Sequence, residues 1–170
     1  NNTSRGIFQL FKNGLINHVT MTNNHSTTDF LISIEYSGGV IKNSIIWGNT
    51  RVGTVGTIFH EDINAYKTIS HSIIQGPTEY NYMGTGVMDV NPKFVKVVKT
   101  GDEESDYHLK DSSPAIGAGT TTGAPTTDIE GNPRPNPTGS NPDLGAFENK
   151  WGTPQNATPV ITAMSDVTVN

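Results

Sequence analysis

The chain has no cysteine among its 170 residues, so disulfides and thiolate metal sites are excluded. Positive charge is scarce: 11 Lys and Arg against 16 Asp and Glu leave a net charge of −5. No basic face is expected for a phosphate backbone, which removes nucleic acid as a partner. No uninterrupted apolar run approaches the roughly 20 residues that a membrane span requires. No window sustains a 3.6-residue apolar period, so long helices are not expected. Apolar residues are only 33% of the chain, yet they fall in short clusters, which argues for exposed loops on a core rather than for disorder.

What the chain does have is punctuation and repetition. Its 18 glycines and 10 prolines exceed the average share of roughly 12%, as expected of a chain with many turns. The stretch Gly39 to Asn49 has an earlier copy from Gly14 to Asn24 and a later one from Thr68 to Pro77. Aligning Ile16, Ile41 and Ile69 gives steps of 25 and 28 residues, with Met21, Ile46 and Ile74 also in line. A unit this short cannot bury its own apolar face and must stack on a copy of itself. The β-branched content favours strands, and strands recurring at a near-constant period pair in parallel with the next unit. The expected fold is all-β, a parallel β-helix whose inward columns are Ile16/Ile41/Ile69 and Met21/Ile46/Ile74.

Each copy follows an apolar stretch: Gly6 to Phe11, Phe30 to Tyr36 and, more weakly, Thr57 to Phe59. Thr50 to Ile63 and Glu79 to Met88 are glycine-dotted and read as loops leaving the unit. The chain opens Asn1-Asn2-Thr3, without Met or a signal peptide, and ends within a strand-like stretch, as expected of an internal piece of a longer protein.

From Asp89 the text changes. Asp89-Val90-Asn91-Pro92-Lys93-Phe94, Asp106-Tyr107-His108-Leu109, Ser113-Pro114-Ala115-Ile116-Gly117-Ala118-Gly119, Asp128-Ile129-Glu130-Gly131-Asn132-Pro133-Arg134-Pro135 and Asp143-Leu144-Gly145-Ala146-Phe147-Glu148 follow one another. In that order they resemble the end of right-handed parallel β-helix proteins of the choice-of-anchor Q type. Those are secreted or surface proteins of bacteria, especially Bacteroidetes, related in fold to pectate lyases. The resemblance implies a right-handed β-helix over residues 1–148, closed by a loop-rich C-terminal cap. Residues 149–158 are polar and read as a linker. Residues 159–170 resemble the first strands of an immunoglobulin-like or hyaline-repeat module.

Several groups could carry chemistry. His18, Asn43 and His71 share one repeat position, but His18 and His71 would lie two units apart, about 9–10 Å, whereas nitrogens on one zinc lie within roughly 4 Å. They are expected to form a structural ladder of hydrogen-bonding side chains, with Asn24 and Asn49 as a second ladder. Asp128 and Asp143 are expected to cap turns before Gly131 and Gly145, and Glu148 to pair with Arg134. No cofactor is expected; calcium at these carboxylates is the alternative, although it would need six to eight converging oxygens. Trp47, Tyr80 and Tyr82 are the candidate ligand-binding residues, as stacking platforms for sugar rings.

A lyase of this fold needs a base beside a uronate carboxylate and a cation to neutralise it. The repeats offer only Lys42 and Lys67. A glycosidase needs paired carboxylates, and no outward Asp/Glu pair falls in the repeats. The expectation is therefore a non-catalytic structural or adhesive segment of a large exported cell-surface protein. The C-terminal part of a polysaccharide lyase or glycosidase is one alternative, and a carbohydrate-binding module another. Surface glycans or other cell-surface and secretion proteins are the expected partners.

Overall fold

Short β-branched runs separated by single turn residues leave room only for short strands, and the computed structural model contains just these. It describes residues 8–10, 13–26, 32–34, 39–51, 54–55, 59–60, 67–76, 84–98 and 104–156, which form strands, turns and irregular segments without a helix. The first repeat contributes β1 (Phe8–Leu10), β2 (Leu15–Asn17), β3 (Thr20–Thr22) and β4 (His25–Ser26). The second contributes β5 (Ile32–Ile34), β6 (Gly39–Lys42), β7 (Ile45–Trp47) and β8 (Thr50–Arg51), followed by β9 (Thr54–Val55). The third contributes β10 (Phe59–His60), β11 (Lys67–Ser70) and β12 (Ser72–Ile74), after which come β13 (Val87–Met88), β14 (Phe94–Lys96) and β15 (Asp106–Leu109).

Equivalent strands of successive repeats pair in parallel. The sheets run β1-β5-β10, β11-β6-β2 and β13-β12-β7-β3. Ile16 and Ile69 both pair with Ile41, and Met21 and Ile74 both lie level with Ile46. Backbone bonds run from repeat to repeat, such as Ile45 N to Val19 O (2.8 Å) and Ile73 N to Ser44 O (2.9 Å). The two aliphatic columns meet inside with Ile32 as one cluster, in which Ile32, Ile41, Ile46, Ile69 and Ile74 are fully buried. Each such side chain contributes roughly 1.5–3 kcal/mol relative to exposure. The leading strands, ambiguous in register from sequence, align Phe8 and Phe59 with Ile32.

Two corners close each repeat, and both use left-handed backbone. His18, Asn43 and His71 have φ of 52°, 52° and 43° at the first corner, and Asn23, Gly48 and Gly76 have 57°, 70° and 89° at the second. Asn and Gly suit that region, whereas other residues pay roughly 1–2 kcal/mol there. Two expected loops are partly strand. Thr50–Arg51 pairs in parallel with β4 and turns back on Thr54–Val55, and Val87–Met88 adds a fourth strand beside β12.

The segment from Asp89 does not simply close one end. Neighbouring strand residues face opposite sides, so with Ile46 inside, Ile45 faces outward. Ile45 and Ile73 are nevertheless fully buried, in a second cluster with Phe94, Leu109, Ala115, Ile116 and Leu144. Residues 89–98 and 104–148 thus lie along the outer face of the β3-β7-β12-β13 sheet as a flanking layer. Gly145 fits that contact because a Cβ at its position would lie 2.5 Å from Thr20 Oγ1 and 3.0 Å from Ile45 Cδ1. Residues 149–156 run along the same layer, where Gln155 N donates to Asp111 O (2.7 Å). Residues 157–170, which include the expected following module, lie outside the described residues.

Candidate functional site

The polar corner groups come first, because the repeat brings them together. Asn24 and Asn49 form a side-chain ladder: Asn24 donates to Asn49 Oδ1 through both its main-chain N and its Nδ2 (3.0 Å each), and Asn49 Nδ2 donates to Met21 O (3.0 Å). His18, Asn43 and His71 share a backbone corner, but their side chains go separate ways. Asn43, fully buried, donates to Asn17 Oδ1 and Thr120 O (3.1 Å each) and accepts from Thr120 N (2.8 Å). Both ring nitrogens of His18 and Nδ1 of His71 are buried without a hydrogen-bond partner. The bonded ladder stands one residue later, where Val19 N donates to Ser44 Oγ and Ser44 N to Ser72 Oγ (3.2 Å each). Sequence reasoning missed it, although Ser44 and Ser72 align in the repeat and each follows a corner residue.

Burial holds the His18 imidazole down at about 4, helped by the positive charges of Arg134 and Lys42. The carbonyls of Asp143 and Gly145 pull the other way without reaching hydrogen-bond geometry. His18 is therefore a neutral ring at pH 7.

A cluster of buried charges holds the flanking layer. Arg134 Nε donates to Glu148 Oε2 (2.8 Å), with side chains 1% and 0% exposed, and Arg134 Nη2 donates to Gly145 O (3.1 Å). Glu148 also accepts from the main-chain N of Asn136 (3.0 Å) and Asp143 (3.2 Å). Asp143 accepts from Gly117 N (2.8 Å) and Asn149 N (2.7 Å), so it ties distant segments together rather than capping its own turn as expected. Asp128 does cap its turn, accepting from Glu130 N (2.9 Å) and Asn132 N (2.8 Å), and it also accepts from Glu148 N (3.0 Å). Burial pushes the Asp143 carboxyl up to about 7 against the pull of its two N–H donors. Burial also raises Glu148, opposed by the N–H groups of Asn136 and Asp143 and by Arg134. These carboxylate oxygens are aimed at main-chain N–H groups and Arg134, and a cation would have to displace those donors. Among the described residues no three His, Cys, Asp or Glu side chains converge as a metal cluster.

At the rim, His108 bridges Asp106 (Nδ1, 2.6 Å) and Glu130 (Nε2, 3.1 Å) and lies 4.2 Å from the Phe147 ring between centroids. Partial burial lowers its affinity for a proton, but the hydrogen bonds and charges of the two carboxylates outweigh it and raise its pKa. Of the lysines named as candidate bases, Lys42 is engaged through Nζ with Thr122 O (2.6 Å).

Trp47 faces outward on β7 and is half-buried. It lines a cleft of about 670 Å³ between the sheet and the flanking layer. Thr22 pairs with Trp47 across the sheet, and Gln75 follows Ile74, the partner of Ile46, so these three form one wall. Lys93, Val95 and Val97 form the other. Tyr80 and Tyr82 lie outside the described residues.

The chain matches no protein-family model and no curated protein. Function therefore rests on the geometry. That geometry offers a stack of repeats, a charge-locked flanking layer and an open cleft beside Trp47. Among the described residues no helix is long and apolar enough to cross a membrane.

Proposed function

We propose that the stacked repeats are coils of a right-handed parallel β-helix of the choice-of-anchor Q type, and that the chain is a non-catalytic, stiff segment of an exported bacterial surface protein. Its role is display: a solenoid holds the loops that leave successive coils at fixed spacing along a rod. The observation that carries this reading is the in-register stacking of Ile16, Ile41 and Ile69 and of Met21, Ile46 and Ile74 over three consecutive repeats. The polar groups at the corners and in the flanking layer support it. Asn24, Asn43, Asn49, Asp128, Asp143 and Glu148 all spend their hydrogen bonds on holding the structure together.

Antibody raised against the 170-residue chain tests the reading on the cells that make it. Labelling of intact, unpermeabilised cells is the expected result. Labelling only after permeabilisation would overturn the surface assignment. Release of unsaturated product from uronate polymers by the parent protein, abolished by changes within residues 1–156, would overturn the non-catalytic one.

A further inference from the structure

The cleft beside Trp47, about 670 Å³ in volume, is left open by the interior bonds, and its lining has a definite chemistry. The charged residues on it are Lys93 and Lys110, with no carboxylate among the lining residues, although the chain as a whole carries −5. Lys93 Nζ donates once, to Ser112 O (3.0 Å), whereas an ammonium has three donors. Val95 and Val97 are 44% and 43% exposed, unusual for aliphatic side chains set two apart beside a tryptophan. Two residues of extended chain span roughly 6.7 Å, the distance between side chains on one face of a strand. β14 is paired with β15 and with no other strand of the described residues.

Each amide on the cleft is held by one bond. Asn23 Nδ2 donates to Val98 O (3.0 Å), Gln75 Oε1 accepts from Gly48 N (2.7 Å), and Asn91 Oδ1 accepts from Lys93 N (2.8 Å). An extended peptide is well served, because alternate apolar side chains find Val95, Val97 and Trp47 while acidic ones find the two ammonium groups.

We propose that this cleft is a docking groove for an extended, acidic peptide segment of a partner protein. The inference goes beyond the display role and does not depend on where the protein resides. Trp47 and Trp151 are the two tryptophans of the chain, so in a Trp151→Phe background the emission of Trp47 alone reports on the groove. The probe is a blocked octapeptide of alternating glutamate and valine, compared with its lysine–valine counterpart and with a sulfated oligosaccharide.

The expected result is a saturable change in Trp47 emission with the acidic peptide and affinity about tenfold or more weaker for the basic one. Lys110→Glu and Val95→Asp, at exposed positions where folding is preserved, are each expected to weaken the acidic peptide about tenfold, with unchanged circular dichroism. Four outcomes would overturn the proposal: no saturable change up to millimolar peptide, equal affinity for the two peptides, indifference to Lys110→Glu, or tighter binding of the saccharide.

Discussion

The stacked repeats and the flanking layer bury residues on opposite sides of the same strands, yet they are held by different physics. In the repeats, equivalent residues sit over one another, so the same two aliphatic columns and the same parallel pairing serve every copy. In the layer no position repeats. Residues 111–149 contain no strand of more than an isolated bridge, and long-range order comes from Arg134, Glu148, Asp143 and Asp128 reaching particular main-chain groups. Stacking thus spreads stability over many interchangeable contacts, whereas the layer concentrates it in a few that cannot be exchanged.

Breaking one of those few should have the largest effect. Arg134→Met leaves Glu148 buried without its cation and is expected to cost about 3–5 kcal/mol, read from urea unfolding. Replacing Glu148 with Leu as well should restore part of that loss, because the remaining buried charge is then gone.

Next comes a pair of truncations on adjacent residues. Ile46→Ala removes an inward side chain, and Ile45→Ala removes an outward one from the cluster that holds Leu144. Both are expected to destabilise by about 2–5 kcal/mol, because both positions are fully buried. An effect at Ile45 as small as that of an exposed residue would mean that the layer does not cover the sheet.

Two groups at the seam between the regions, His18 and Asp143, answer pH in opposite directions. The folded pKa of His18, about 4, lies below the usual 6.5. Its contribution is present above pH 6.5 and is lost as pH falls towards 4, up to roughly 3 kcal/mol. Asp143 beside it is raised to about 7 and works against that loss over the same range. The clean readouts are therefore the nitrogen shifts of the His18 ring and the difference curve against His18→Asn. Asn43 holds the same corner with all its polar atoms bonded, so His18→Asn is expected to stabilise the fold at acid pH.

The smallest effect belongs to His108, whose raised pKa has the opposite sign. Its contribution is complete below pH 6.5 and fades as pH rises through the raised value. His108→Ala should flatten only the alkaline side of the stability profile, and only slightly, since the side chain is 41% exposed.

The repeats were legible in the sequence because stacking demands periodicity: Ile16, Ile41 and Ile69 could be aligned by eye and pair as aligned. The doubled apolar residues Ile45-Ile46 and Ile73-Ile74 were also visible. Their meaning, a strand buried on both faces, was not read from them, because nothing periodic says what covers the outer face. The partners of Asp143 lie 26 residues back at Gly117 and 6 ahead at Asn149, spacings fixed by packing alone. Trp47 could be assigned outward by alternation with Ile46, but the wall facing it belongs to Lys93 to Val97, which no local pattern links to β7. The third copy also hid β13, since Val87-Met88 follows glycines and reads as loop.

Native-state hydrogen exchange tests most directly whether repeats and layer are one structure. The amides of Ile45, Ile73 and Gln75 report on bonds between repeats, and those of Gly145, Leu144 and Asn149 on bonds that hold the layer. With both faces of the sheet mutually dependent, the two sets should show the same opening free energy and lose protection together in Arg134→Met. Protection of the repeat amides that survives intact while the layer exchanges freely would contradict that dependence.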